Sequence, residues 1–306
     1  MFSLQNKIIV AAIAGMFLIL GGAVILSGQS MAEPFNQGPK KCAECHKAEF
    51  QIWEETKHAK SFKKVHKSKL AKALAKATGN KSMKKNETCV QCHYTLVAKD
   101  AASAAKAKPK AGPSCESCHG ASSDWFTIHN NRAEPKDERI VAATAAGMRW
   151  SFDRYGIAEN CNECHGLANA NIDPEKLAIM LENGHPAKPD WEYVKYSQGS
   201  IRHRFYPPDM TKNAEMTPAE MSRAFVVGQA AKLVSATIAI SRSGSPKFIE
   251  FQQARAEAAR AALSGVDAAK TLIENPNREN AVALTAAIKD QDLSGTVGGL
   301  LPTEFK

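Results

Sequence analysis

No cysteine in this 306-residue chain stands outside a Cys-x-x-Cys-His motif. Histidine is scarce, with nine in all, and none occurs in residues 211–306. Aromatic residues are few as well: 12 Phe, 5 Tyr and 4 Trp. Each shortage excludes something. With no spare cysteine there is no disulfide scaffold beside the motifs, and such a scaffold has no reason to place His after every second Cys. So small an aromatic complement does not suggest an ordinary hydrophobic core for this length. No specific acid–base constellation marks an active site.

What is present is four motifs that use all eight cysteines: Cys42-Cys45-His46, Cys89-Cys92-His93, Cys115-Cys118-His119 and Cys161-Cys164-His165. The pattern is that of c-type haem attachment. Two thiols add to the vinyl groups of one porphyrin, and the adjoining imidazole reaches the iron from one face. Zinc sites need no fixed His after each pair, and a thioredoxin-like motif occurs once, near a strand-helix unit. An iron–sulfur cluster needs cysteines that converge, whereas these pairs are spread from Cys42 to Cys164. The expected cofactor is therefore four haem c, bound through Cys42, Cys45, Cys89, Cys92, Cys115, Cys118, Cys161 and Cys164, with His46, His93, His119 and His165 as proximal iron ligands. The haems would supply much of the apolar surface that the side chains do not.

The N-terminus has one basic residue, Lys7, and then an uncharged run over 8–26. Residues 1–32 read as a signal peptide, with small residues at Ser30 and Ala32 and cleavage after Ala32, or as a retained membrane anchor. Either places the remainder outside the cytoplasmic membrane, in the periplasm, where haem attachment also requires it to be. The net charge of +9 does not argue for nucleic acid, because ferric haems with ionised propionates subtract charge. It is also local: Lys57 through Lys85 holds eleven lysines and no acid. This is a solvated helix face or a docking surface that steers an acidic redox partner. Oligomeric state is not legible.

The expected fold is mainly α, with little regular structure around stacked haems. Residues 33–210 form a tetrahaem domain and 211–306 a C-terminal helical cap. A helical stretch over 48–77 ends at Gly79. The alanine- and lysine-rich 101–112 reads as a mobile-looking loop. Residues 131–160 read as a helix plus loop, and a short helix follows over 174–181. Thr217-Pro218-x-Glu220 is a capping box that opens the cap's first helix. Met221, Phe225, Gly228 and Ala231 recur along it at helical spacing, a stripe that reads as core rather than ligand. Ser245-Pro246 and Asn275-Pro276 open two more helices.

Five histidines lie outside the motifs: His58, His66, His129, His185 and His203. A second imidazole on each of four irons requires four of them. The stretch Pro34-Phe35…Lys40-Lys41-Cys42-x-x-Cys45-His46-Lys47-Ala48…Trp53-x-x-Thr56-x-His58-Ala59-Lys60 resembles the N-terminus of the tetrahaem cytochrome c-554 family. Cys115-Glu116-Ser117-Cys118-His119-Gly120 followed by His129 extends the likeness. The resemblance implies electron transfer away from hydroxylamine oxidoreductase, with His129 opposite His46 and His58 opposite His119. Gly184-His185-Pro186 is similar to a haem-ligating segment of a wider c-554-like group, which implies His185 opposite His165. In the family, haem 2 lacks a distal protein ligand. Here His203, His66, a methionine or an open site all stand as candidates at His93. Three functions follow: an electron relay between redox proteins, reduction of a small nitrogen oxide such as nitric oxide at a five-coordinate haem 2, or a haem-bearing docking subunit of a respiratory complex.

Overall fold

Side-chain caps open many of the helices in the computed structural model, which describes residues 33–306. Helix α1 (Pro39–Cys42) is a single turn and α2 (Lys47–Glu55) follows it. Thr56 then turns to extended backbone and its hydroxyl accepts from Ala59 N at 3.2 Å, so α3 (Lys57–Lys64) starts afresh. Ser68 does the same for α4 (Lys69–Ala77), accepting from Ala71 N at 3.0 Å. The stretch expected as one helix over 48–77 is thus three, because Thr and Ser satisfy the free N–H groups of a new helix better than they continue an old one. Asn86 caps α5 (Glu87–His93), accepting from Thr88 N and Cys89 N.

Residues 101–112 are ordered rather than a mobile-looking loop. Asp100 caps a short 3-10 helix over Ala101–Lys106. Strand β2 (Lys108–Ala111) then pairs antiparallel with β1 (Thr95–Val97), and Thr95 Oγ1 donates to Gly112 O at 2.9 Å. Pro109 is tolerated because this two-stranded ribbon has free edges. The helices α6 (Cys115–His119), α7 (Phe126–His129), α8 (Lys136–Ala145) and α9 (Arg154–His165) follow, then α10 (Pro174–Glu182) and α11 (Tyr193–Ser197). The architecture is mainly α.

The apolar core gathers around α12 (Pro218–Arg242). Its capping box forms as expected, with Glu220 N donating to Thr217 Oγ1 at 3.2 Å and Thr217 N to Glu220 Oε2 at 2.9 Å. Phe225, Val226, Ala230, Leu233 and Val234 are buried against Tyr155 and Ala158 of α9 and against α13 (Pro246–Leu263). Among the described residues α12 alone is long and apolar enough to cross a membrane, yet 78% of that window is buried within the protein. At Gly228 an added Cβ would press on the Cβ of Tyr193, so this face of α12 requires glycine. Beyond α13 come α14 (Lys270–Glu274), α15 (Arg278–Ala287) and α16 (Ser294–Val297). The third expected helix begins later than Asn275-Pro276, because Asn277 supplies the cap by accepting from Asn280 N at 2.9 Å. Residues 33–306 form one unit, and α12 packs on the helix that bears the fourth motif. The expected signal peptide or anchor, residues 1–32, lies outside the described residues.

Candidate haem-binding centre

Each Cys-x-x-Cys-His motif closes a helical turn. In the first, His46 N donates to Cys42 O at 2.9 Å. The second and third lie on α5 and α6, and the fourth forms the last turn of α9. A turn sets both thiols and the imidazole on neighbouring positions of one face. Every motif histidine then meets one other histidine. Ring centroids are 6.4 Å apart for His46 and His129, 6.0 Å for His93 and His185, 6.2 Å for His119 and His203, and 5.9 Å for His165 and His58.

These separations fit a bound iron. A metal–imidazole nitrogen bond is about 2.0 Å and the ring centre lies roughly 1.1 Å behind that nitrogen, so two rings on opposite faces of one metal stand about 6.2 Å apart. The ring nitrogens fit as well. His119 Nδ1 lies 2.8 Å from Arg149 O, His129 Nδ1 2.6 Å from Phe126 O, and His203 Nδ1 2.6 Å from Ile201 O. In each, the carbonyl accepts the Nδ1 proton and leaves Nε2 as the basic nitrogen, the arrangement that orients a metal-bound imidazole. Burial pushes His93, His119 and His165 down to about 4, aided at His93 by the neighbouring His185 and His58. Burial lowers His58, His129 and His185 too. All six are neutral at pH 7, the form that binds a metal.

The pairing differs from the expected one at three motifs. His58 stands with His165 rather than His119, His185 with His93 rather than His165, and His203 with His119 rather than His93. The physical reason is that the distal residues come from segments remote in the chain, and the return path of each segment sets its partner. His58 sits in the first turn of α3, downstream of the break at Thr56. His185 follows α10, where Gly184 at φ +85° reverses the chain and His185 N donates to Met180 O at 2.9 Å. His203 lies beyond α11, between Arg202 and Arg204, which Glu215 and Glu220 hold at 3.0 and 2.7 Å. His66 stands on a 3-10 turn, its Nδ1 buried without a hydrogen-bond partner, and meets no motif histidine.

The motifs also meet one another. The Cys42 and Cys115 thiols lie within hydrogen-bonding reach, which lowers the first pKa and raises the second. Cys92 is similarly close to Cys164 and raises its pKa. Asn160, just before the fourth motif, donates from Nδ2 to Ser117 O inside the third at 2.9 Å. The contacts therefore run in the order first, third, fourth, second.

Two buried groups within motifs escaped the sequence reading. Glu116, between the third motif's cysteines, is 3% exposed. It accepts from Gln37 N at 2.8 Å, Gly38 N at 2.7 Å, Ser122 N at 3.2 Å and the Ser122 hydroxyl, tying the segment before the first motif to the third. Asn162, between the fourth motif's cysteines, accepts from Arg255 Nη2 at 2.7 Å. Gln252 and Arg255 share one buried face of α13 with Ala256 and Ala259. His165 also stacks on Trp191, with centroids 4.8 Å apart and planes within 9°.

Comparison with known proteins gives two findings. The family described as cytochrome c554 and c-prime matches residues 41–120, the first three motifs. Cytochrome c-554 of Nitrosomonas europaea is 32% identical over 147 residues, covering 46% of this chain and 62% of that protein. The chain thus spans less than two thirds of this relative's length. No solved structure matches it.

Proposed function

We propose, from its likeness to cytochrome c-554 and to that family over residues 41–120, that this chain is a periplasmic tetrahaem c-type cytochrome that relays electrons between redox proteins. The observation that carries the reading is the set of four histidine pairs, each one motif histidine and one distant histidine, with centroids 5.9–6.4 Å apart. Haem bound at each pair supplies reversible one-electron chemistry, and sites that adjoin in the order first, third, fourth, second give it a continuous path. The chain's own residues would attach the groups through eight thiols and set an imidazole on each face. His185 beside His93 argues against an open iron at the second motif and so against nitrogen-oxide reduction there.

The proposed partner is an acidic redox protein. Of the eleven lysines over 57–85 all but Lys84 are exposed, and Lys60 alone has a carboxylate within ion-pair distance among the described residues. Exposed Leu70 lies among them, an apolar contact of the kind redox interfaces use. Beneath this face Ala71, Ala75 and Met83 pack on Cys89 and Val90 of the second motif, one end of the path. At the other end Lys41, Lys99, Lys106, Lys108 and Lys110 surround a depression of about 490 Å³ beside the first motif. Like charge at both ends suits acidic donors and acceptors alike.

Intact mass of the exported protein tests the cofactor count. The expected result is a polypeptide carrying four covalent haems. A mass with three or fewer, in cells that attach haem fully to other cytochromes, overturns the reading.

A further inference from the structure

Arg255 on α13 is 1% exposed, and no carboxylate lies within ion-pair distance of it among the described residues. Its guanidinium is instead held by neutral acceptors. Nη2 donates to Asn162 Oδ1 at 2.7 Å and to Ser235 Oγ at 3.1 Å. Nη1 donates to Gln252 Oε1 at 2.6 Å and to Gly166 O at 3.3 Å. Two of these acceptors belong to the fourth motif's own turn: Asn162 lies between its cysteines and Gly166 directly follows His165. A fully buried cation without a counter-ion is costly, and its removal from water is repaid only where opposite charge accumulates. Lys232, the other buried cation of this region, faces Glu192 and Asp190. Arg255 has no carboxylate beside it; the chain offers it only neutral acceptors and the partial negative charge at the C-terminal end of α9, where it caps Gly166 O. Both stay charged at neutral pH, Arg255 pushed down to about 9 by burial alone.

We propose that Arg255 is the residue through which the C-terminal helices raise the reduction potential of the haem on the fourth motif, making this site an electron-holding station within the relay. The inference rests on the reading that haem is bound at His165 and His58. Reduction adds one electron, delivered by the redox partner, and makes the site more negative by one charge. Arg255 neither gains nor loses a proton; its fixed positive charge stabilises the added electron. The motif order places this site inside the path, so a higher potential here holds an electron between the ends. Through an effective dielectric of about 20, a unit charge within roughly 12 Å of the added electron changes such an equilibrium about tenfold or more. For a one-electron couple, tenfold is about 59 mV.

The test is a potentiometric titration of the purified holoprotein, with Arg255→Gln, Arg255→Lys and Gln252→Glu beside the native chain. Arg255→Gln is expected to move one of the four one-electron steps about tenfold toward the oxidised form and the other three by less. Arg255→Lys keeps the charge and is expected to keep that step. Gln252→Glu sets a carboxylate where the guanidinium already donates at 2.6 Å, and is expected to lower the same step while keeping the fold. If Arg255→Gln does not fold, Gln252→Glu decides the matter. Unchanged potentials in Gln252→Glu, an equal shift of all four steps, or Arg255→Lys behaving like Arg255→Gln would each overturn the proposal. A native protein with fewer than four haems, or with a high-spin fourth haem, would defeat the underlying reading instead.

Discussion

Replacing His185 with alanine tests the pairing most sharply. His185 sits 6.0 Å from His93 between ring centroids, while His58, the other imidazole near His93, is paired with His165 at 5.9 Å. Its removal therefore leaves one iron in four without a distal nitrogen. The ferric spectrum should gain a high-spin component of about one quarter of the iron, and the reduced protein should bind about one carbon monoxide per chain. Alanine at this half-buried position also removes ring volume, so a loss of about 1 kcal/mol in stability should accompany the change. His66→Ala, which removes an imidazole that meets no motif histidine, should change neither spectrum. The partner is identified by a second background. A chain with Cys89→Ser and Cys92→Ser carries three haems, and adding His185→Ala to it should leave all three low-spin. If one third of the remaining iron turned high-spin, His185 would serve another motif and the pairing drawn from the ring distances would be refuted.

Other outcomes follow from the same geometry. The imidazoles of His93, His119 and His165 are depressed from the ordinary 6.5 to about 4, so the native state favours their neutral, ligating form. Stability from these groups is fully present above pH 6.5 and lost as pH falls through about 4. The low-spin spectrum should thus persist at pH 5 and convert to high-spin below about pH 4; conversion near pH 6 would contradict the burial argument. Glu116→Ala leaves the buried N–H groups of Gly38 and Ser122 and the part-buried one of Gln37 without an acceptor, and thermal unfolding should report a loss of about 4 kcal/mol. Reversing Lys69, Lys72 and Lys76 to glutamate should slow electron transfer to an acidic ferredoxin about tenfold at low ionic strength. The difference should close by 1 M salt, where the screening length is about 3 Å; a salt-independent difference would remove the docking role.

The candidate attachment motifs were legible in the sequence because the chemistry they suit is local. Two thiols and an imidazole must share one turn, and one turn is written in five consecutive residues. Which histidines stand beside the motif histidines was nearly legible by scarcity, since only five further histidines exist. Which distal histidine serves which motif was not, because partners remote in the chain meet by tertiary path. His58 illustrates this: its distance along the chain from His119 and from His165 carries no information about which ring it faces. The ribbon formed by β1 and β2 was hidden behind alanine and lysine composition, although Thr95 and the Asp100 cap order it. The capping box at Thr217 was legible because both partners lie within one turn. Arg255 was not, because a charge in an alanine-rich helix reads as solvated until its neighbours are known.

The most direct measurement is the integrated electron paramagnetic resonance spectrum of the native ferric protein, followed by carbon monoxide addition to the reduced form. Four histidine pairs require that all the iron be low-spin and that carbon monoxide leave the reduced spectrum unchanged. A high-spin signal from about one quarter of the iron, with carbon monoxide binding to match, would show an open site and contradict the account.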